Sequence, residues 1–237
     1  MPDEDDHYNM RETICTIPVN EVFERAGGCP VCRMRAEIEE KHIDYVTGAA
    51  MMEPDVRGMT NKTGFCRRHF DKIQNINGRR LSVSLMLETH LAEVEENVLA
   101  RPGDASKAAM LEQSCFVCDC IDTHLSRAVD TIYRTYRSEE EFRRLFRAQE
   151  YLCLPHYRML MQGNKGPSPK ALLGKLWGEF CGESHRLALE RVRLLRRRLA
   201  GFAEAFDYRQ SAGGMPEESR RSIEDTIEFL TGETGDL

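Results

Sequence analysis

Apolar residues recur at helical spacing along most of the chain. Between Cys32 and about Met52 they stand three to five positions apart, and a second apolar stripe runs through a long segment from about Lys170 to Phe206. Such spacing places apolar side chains on one face of a helix. No stretch shows the period-two alternation of a half-buried strand. The pattern therefore predicts an all-α fold with about eight to nine helices.

The helical pattern occurs twice. The segment Arg101–Asp104, with the turn-forming pair Pro102 and Gly103, separates the two copies. A repeated supersecondary unit indicates tandem duplication. The predicted organisation is a disordered polar tail at 1–12, one helical module at 13–101, a second at 105–208, and a tail with a short helix at 209–237.

Each copy carries one pair of cysteines and one cysteine–histidine pair. The Cys-x-x-Cys pairs of the two copies are separated by 86 residues, and the Cys-x-x-His pairs by 87. Within a copy, 33 or 34 residues lie between the two pairs. The eight positions are Cys29, Cys32, Cys66 and His69 in the first copy, and Cys115, Cys118, Cys153 and His156 in the second.

Three thiolates and one imidazole form the ligand set of a closed tetrahedral zinc site. A Cys-x-x-Cys pair at a helix start directs both sulfurs toward one point, and a helix N-terminus favours the thiolate form. We expect each copy to close its own site, giving two zinc ions per chain. Two alternatives remain: an iron–sulfur cluster, which thiolates also hold, and cysteines that are simply buried small hydrophobes.

A candidate third site lies in the second copy. Cys120 and His124 are four residues apart on one predicted helix, as are Cys181 and His185 on another. Residues four apart share a helix face, so the two pairs could meet in the core. The simpler interpretation is two buried cysteines with histidines nearby.

Composition narrows the classes of function. The net charge of -6 argues against general nucleic-acid binding. The arginine-rich run from Arg191 to Leu199 accompanies an apolar stripe, which predicts the solvated face of an amphipathic helix. There is no apolar run long enough to span a bilayer and no signal-peptide pattern. These features predict a cytoplasmic protein. In a reducing cytosol, metal ligands or redox groups are a better interpretation of the nine cysteines than disulfides.

Several motifs resemble those of a bacterial family of unknown function that is common in anaerobes. They are the lead-in Ile17–Phe23, the cysteine pairs, the phrase Gly64–His69 and the segment Phe206–Arg209. The chain departs from the family pattern at Tyr151–Cys153 and at the additional Cys120. The resemblance supports metal binding and implies no activity.

The leading hypothesis is a non-enzymatic binding or scaffold protein, with an unknown protein partner, whose two zinc sites are structural. A site with four protein ligands leaves no position for a substrate, and the sequence offers no catalytic residue. The rivals are a redox- or metal-responsive protein, whose thiolates are oxidised or exchange metal, and an iron–sulfur electron-transfer protein.

Overall fold

The computed structural model describes residues 19–163, 167–205 and 217–232. Within these ranges the chain is helical and contains no strand, which confirms the predicted all-α class. The predicted number of helices is close, because the additional elements are short. The α-helices are α1 (Val19–Glu24), α2 (Pro30–Thr47), α3 (Pro54–Thr63), α4 (Arg67–Gln74), α5 (Arg80–Glu93), α6 (Ser106–Glu112), α7 (Phe116–Ser138), α8 (Glu140–Arg147), α9 (Leu154–Gln162), α10 (Pro169–Leu173), α11 (Trp177–Ala205) and α12 (Ser222–Thr231).

Shorter turns complete the helical path. Ala49–Met52, Gly174–Leu176 and Glu217–Ser219 are 3-10 turns, and Val94–Val98 is a π turn that follows α5 directly. The long helix predicted from about Lys170 is interrupted at Gly174, whose φ of 57° lies in the left-handed region. The main helix therefore begins only at Trp177. The predicted N-terminal tail lies outside the described residues.

By its internal contacts the chain divides into two compact units. Of the described residues, Arg35–Leu125 belong to the first unit, and those within Ile17–Met34 and Ser126–Leu237 belong to the second. This division differs from the two expected modules, 13–101 and 105–208. The physical reason is that the segment before Met34, with the first cysteine pair, packs with the second half of the sequence.

Aromatic side chains form the core of the second unit. Phe23 from α1 lies 4.8 Å from the ring of Phe142 and 5.7 Å from that of Phe146. Phe146 in turn contacts Tyr136 and Phe180, with ring centroids 5.3 and 5.1 Å apart. All five side chains are at most 1% exposed. These contacts hold α1 against α8 and so bring the following loop, which carries Cys29, into the second unit.

The first unit is built around the helices that carry the other ligand pairs. Its buried residues come mainly from α2, α3 and α7, with Ile73 of α4 and Met86 of α5 completing the core. Gly64 accepts a hydrogen bond from the Phe116 amide at 3.0 Å, and the Ser114 hydroxyl donates to the Thr63 carbonyl at 2.7 Å. These bonds hold the loop before Cys66 beside the loop before Phe116.

The arginine-rich part of α11 corrects one sequence interpretation. Arg191, predicted on a solvated face, is only 7% exposed. It pairs with Glu150 at 3.0 Å and stacks over the Tyr151 ring at 4.2 Å. Arg198 is also engaged, with Asp225 of α12 at 3.2 Å. Across the described ranges, every helix is too short or too polar to cross a membrane.

The aromatic core predicts a large loss of stability for Phe146→Ala. Removing a fully buried phenylalanine leaves a cavity and should cost about 3–5 kcal/mol of unfolding free energy. Urea unfolding of the metal-loaded protein, followed by circular dichroism, measures this cost. Ile227→Ala, at a side chain that is 55% exposed, is the control and should change the unfolding free energy little. Equal losses in the two variants would contradict the described core.

Candidate metal centres

The eight predicted ligands gather into two clusters. Cluster 1 consists of Cys29, Cys32, Cys153 and His156, and cluster 2 consists of Cys66, His69, Cys115 and Cys118. Within each cluster the sulfur and nitrogen atoms lie within 4.8 Å of one another. Each cluster is contained in one compact unit, cluster 1 in the second and cluster 2 in the first.

The grouping corrects the expectation that each sequence copy closes its own site. The Cys-x-x-Cys pair of each copy meets the Cys-x-x-His pair of the other copy. The two clusters are nested along the sequence. The 45 residues between His69 and Cys115, which connect the two pairs of cluster 2, lie within the 120 residues between Cys32 and Cys153, which connect the two pairs of cluster 1. Ligand spacing is nearly the same in both copies, so it could not distinguish the two groupings.

Every ligand pair sits at the start of a helix. Cys66 and Cys153 precede the first residues of α4 and α9, and each histidine is the third residue of its helix. The Cys-x-x-Cys pairs lie at the starts of α2 and α7. The Cys29 carbonyl accepts a hydrogen bond from the Arg33 amide at 3.1 Å, and the Cys115 carbonyl accepts one from the Asp119 amide at 3.0 Å. The positive end of the helix dipole favours thiolate at these positions. Two helix N-termini therefore converge on each cluster.

The separations of the ligand atoms match coordination of one small cation. In cluster 1, His156 Nδ1 lies 3.7, 3.2 and 3.0 Å from the sulfurs of Cys29, Cys32 and Cys153. In cluster 2, His69 Nδ1 lies 3.2–3.5 Å from its three sulfurs. Bonds of about 2.3 Å to sulfur and 2.0–2.1 Å to nitrogen place tetrahedral ligands roughly 3.5–3.8 Å apart. The residues present therefore fit a tetrahedral metal ion.

Neighbouring sulfurs oppose one another's ionisation. Burial raises the pKa of Cys115, but hydrogen bonds with His69 and with the backbone at Cys66 and Cys118 lower it to about 6. Burial and the Cys115 thiolate then raise the pKa of Cys118. In cluster 1, too, one cysteine has a lowered pKa and another a raised one. Hydrogen bonds outweigh the effect of burial and lower the pKa of Cys29, whereas the neighbouring sulfurs of Cys153 and Cys29 raise the pKa of Cys32. A divalent cation among the sulfurs would remove this repulsion.

A buried carboxylate orients the histidine of cluster 2. His69 Nε2 lies 2.9 Å from Glu39 Oε1, while Nδ1 faces the sulfurs. Lys72 donates to Glu39 at 3.1 Å, and Arg68 lies 3.4 Å from it. Burial alone would raise the pKa of Glu39, but the bonds from His69 and Lys72 lower it to about 2. A carboxylate on the far nitrogen of a ligating histidine fixes the ring and raises its basicity.

The sequence did not predict the contact between Glu39 and His69. Glu39 lies in a helix rich in charged residues, where one more glutamate carries no signal. The position 86 residues later, which would be its counterpart in the second copy, is Leu125. The two clusters therefore differ around their histidines although their ligands are the same.

Polar contacts hold the loop that carries Cys29. Arg33 donates to the Val22 and Arg25 carbonyls at 3.0 Å and to Gln149 Oε1 at 2.8 Å, and it also reaches Gly27 and Gly28. Gly28 adopts a φ of 68°, and its amide donates to Glu150 Oε2 at 2.9 Å. The loop is thus fixed to the segment just before Cys153, where the other half of cluster 1 begins.

The end of α12 covers cluster 1. The Cys32 sulfur lies 3.4 Å from the carbonyl oxygen of Gly232. A side chain at position 232 would meet the sulfur of Cys153 at 3.3 Å, and the φ of 70° there also favours glycine. Phe229, one turn earlier, lies against the Tyr151 ring at 6.3 Å. The predicted short C-terminal helix therefore ends against cluster 1 and covers it.

The candidate third site gains no support from the described residues. Cys120 and His124 lie on α7 in the first unit, and Cys181 and His185 lie on α11 in the second. None of the four belongs to a ligand group in the described part of the chain. The His124 ring instead packs 4.9 Å from that of His42, and the His185 ring lies 6.3 Å from that of Tyr157.

Comparison with protein families gives a match to the family described as a family of unknown function, DUF6062. Its profile matches residues 10–236, nearly the whole chain. The chain belongs to this family. No curated protein and no solved structure matches it. The predicted resemblance to an uncharacterised family is thus confirmed.

The crossed grouping predicts the outcome of paired substitutions. Cys66→Ser with Cys115→Ser removes two ligands from cluster 2 alone, so the protein should retain one metal per chain. Cys29→Ser with Cys66→Ser, which changes the same number of cysteines, damages both clusters and should leave neither filled. Elemental analysis of anaerobically purified protein measures both. The reverse result would mean that each sequence copy closes its own site.

The bond between Glu39 and His69 predicts a local effect on metal affinity. Glu39→Gln should weaken metal binding at cluster 2 by about 10–100-fold, as other second-layer carboxylates do, and leave cluster 1 unchanged. Competition with a chromophoric chelator resolves the two affinities. Glu40→Gln, at the exposed neighbouring position, is the control. A similar loss in that control, or at both clusters, would contradict the role assigned to Glu39.

Proposed function

We propose that this protein is a zinc-binding helical scaffold with two structural Cys3His sites and no catalytic activity of its own. The observation that carries this proposal is the convergence of eight side chains, from four helix starts, into two sets of four. A site filled by four protein ligands leaves no coordination position for water or substrate.

Zinc is favoured over an iron–sulfur cluster by the spacing of the sulfurs. The Cys32 and Cys153 sulfurs are 3.6 Å apart, and those of Cys66 and Cys118 are 3.9 Å apart. These separations suit ligands of one ion. In an iron–sulfur cluster the four ligands are divided between at least two iron atoms, so they need wider spacing than the 4.8 Å within which all four ligand atoms of each cluster lie. Zinc would supply the cross-link between helix starts, and structural zinc sites contribute directly to folding.

A binding role is supported by exposed apolar side chains in the first unit. Leu81 and Leu91 of α5 are 73% and 64% exposed, and Leu99, after the π turn, is 67% exposed. Exposed apolar side chains of this size can contact a protein partner if they form a contiguous patch. The net charge of -6 and the engagement of Arg191 and Arg198 with acidic residues disfavour nucleic acid. A cytoplasmic location suits thiolates that hold a metal.

The proposal predicts two zinc ions per chain. Protein purified without air and analysed for all metals should contain two equivalents of zinc, and a strong chelator should remove them with loss of helical circular dichroism. Absorbance between 300 and 500 nm is the control for iron. Less than one metal of any kind per chain would overturn the proposal, and a coloured iron-containing protein would favour electron transfer.

A further inference from the structure

The two clusters differ in how well their sulfurs are covered. In cluster 1, Cys29 and Cys153 are 2% and 0% exposed, and the half-buried Cys32 has the Gly232 carbonyl 3.4 Å from its sulfur. Of the three cysteines in cluster 2 only Cys115 is buried, whereas Cys66 and Cys118 are both half-buried. A reagent arriving from solvent therefore meets two cysteines at cluster 2 and one, partly covered, at cluster 1.

The two accessible cysteines of cluster 2 are also neighbours. Their sulfurs are 3.9 Å apart, although 51 residues of sequence lie between Cys66 and Cys118. A disulfide requires the sulfurs to approach to about 2.0 Å, so about 2 Å of movement would join them. The corresponding pair in cluster 1, Cys32 and Cys153, is equally close at 3.6 Å, but Cys153 is inaccessible.

Helix N-termini favour thiolate at both clusters, so they do not distinguish one from the other. Redox-active cysteines are those that combine thiolate character with exposure and a second cysteine close by. In cluster 2 both Cys66 and Cys118 are half-buried and their sulfurs are close together, whereas in the corresponding pair of cluster 1 Cys153 lacks the exposure. Access to solvent is therefore the property that separates the two sites.

We propose that Cys66 and Cys118 are a site of reversible oxidation by hydroperoxides, and that cluster 1 resists the same reagent. This inference rests on the proposed function, in which Cys66 and Cys118 are ligands of the same zinc ion. It assigns the two clusters different roles: cluster 1 is permanent, and cluster 2 responds to oxidant.

The chemistry balances with one hydroperoxide per disulfide. One of the two thiolates attacks the terminal peroxide oxygen, the O–O bond breaks, and the alkoxide or hydroxide leaves and takes a proton. The second thiolate then attacks the resulting sulfenic acid, forming the S–S bond as hydroxide leaves and is protonated to water. Two thiolates lose two electrons in total, and the peroxide gains them. With two of its four ligands joined to each other, cluster 2 can no longer hold a metal ion.

The experiment uses full-length, zinc-loaded protein purified anaerobically and treated with one equivalent of hydrogen peroxide. A chromophoric chelator follows zinc release, and differential alkylation with mass spectrometry locates the oxidised cysteines. We expect one zinc to leave per chain, a disulfide between Cys66 and Cys118, and recovery of two zinc ions after thiol and zinc are added. Release from cluster 2 should be at least about tenfold faster than from cluster 1, because reactivity follows exposure.

A second measurement tests directly which cysteines a reagent in solvent can reach. In untreated protein, iodoacetamide should label Cys66 and Cys118 before Cys29 and Cys153. Cys120→Ser is the control, because Cys120 is another half-buried cysteine close in sequence to Cys118, and it should change neither zinc release nor the disulfide.

The outcomes separate the two proposals. Release of both zinc ions together, earlier loss from cluster 1, a disulfide that includes Cys120, or oxidation to sulfinic acid without a disulfide would each overturn this inference and leave the two structural zinc sites standing. Absence of zinc before peroxide is added would instead defeat the proposed function.

Discussion

Close packing of sulfur atoms is the constraint on which both sites depend. In each cluster three thiols and an imidazole lie within 4.8 Å of one another, and neighbouring sulfurs raise the pKa of Cys32 and of Cys118. A cation in their midst turns that repulsion into attraction. The surrounding structure therefore holds an arrangement that is costly by itself and would be favourable with a metal, and metal binding there would be coupled to folding.

The supports around the two clusters are built from different chemistry. Cluster 2 relies on a charged network, in which Glu39 connects His69 to Lys72 and Arg68. Cluster 1 relies on enclosure by the Arg33-bound loop and the end of α12. Identical ligand sets thus lie in unlike surroundings, and the surroundings decide which sulfurs meet solvent.

The sequence predicted the helices and the ligands but not how the ligands combine. Periodicity and residue type are local properties, so the all-α fold and all eight ligand positions could be read from them. The grouping depends on the contacts of Phe23 with Phe142 and Phe146, which draw Cys29 toward Cys153 across more than 120 residues. Glu39, Arg191 and Gly232 were missed for the same reason. Each is an ordinary residue whose role appears only when a distant segment packs against it.

The nested connection of the two clusters has a consequence for synthesis on the ribosome. The ligands of cluster 2 are all present once Cys118 has been made, whereas Cys29 and Cys32 must wait until His156 emerges. The first cysteine pair to leave the ribosome therefore belongs to the cluster that is completed last. Before His156 has been made, the nascent chain already contains Cys66 and His69 together with Cys29 and Cys32. These four residues are the Cys3His set that the sequence analysis assigned to one site. A nascent chain that bound metal at these four residues would have to release it before the native grouping could form.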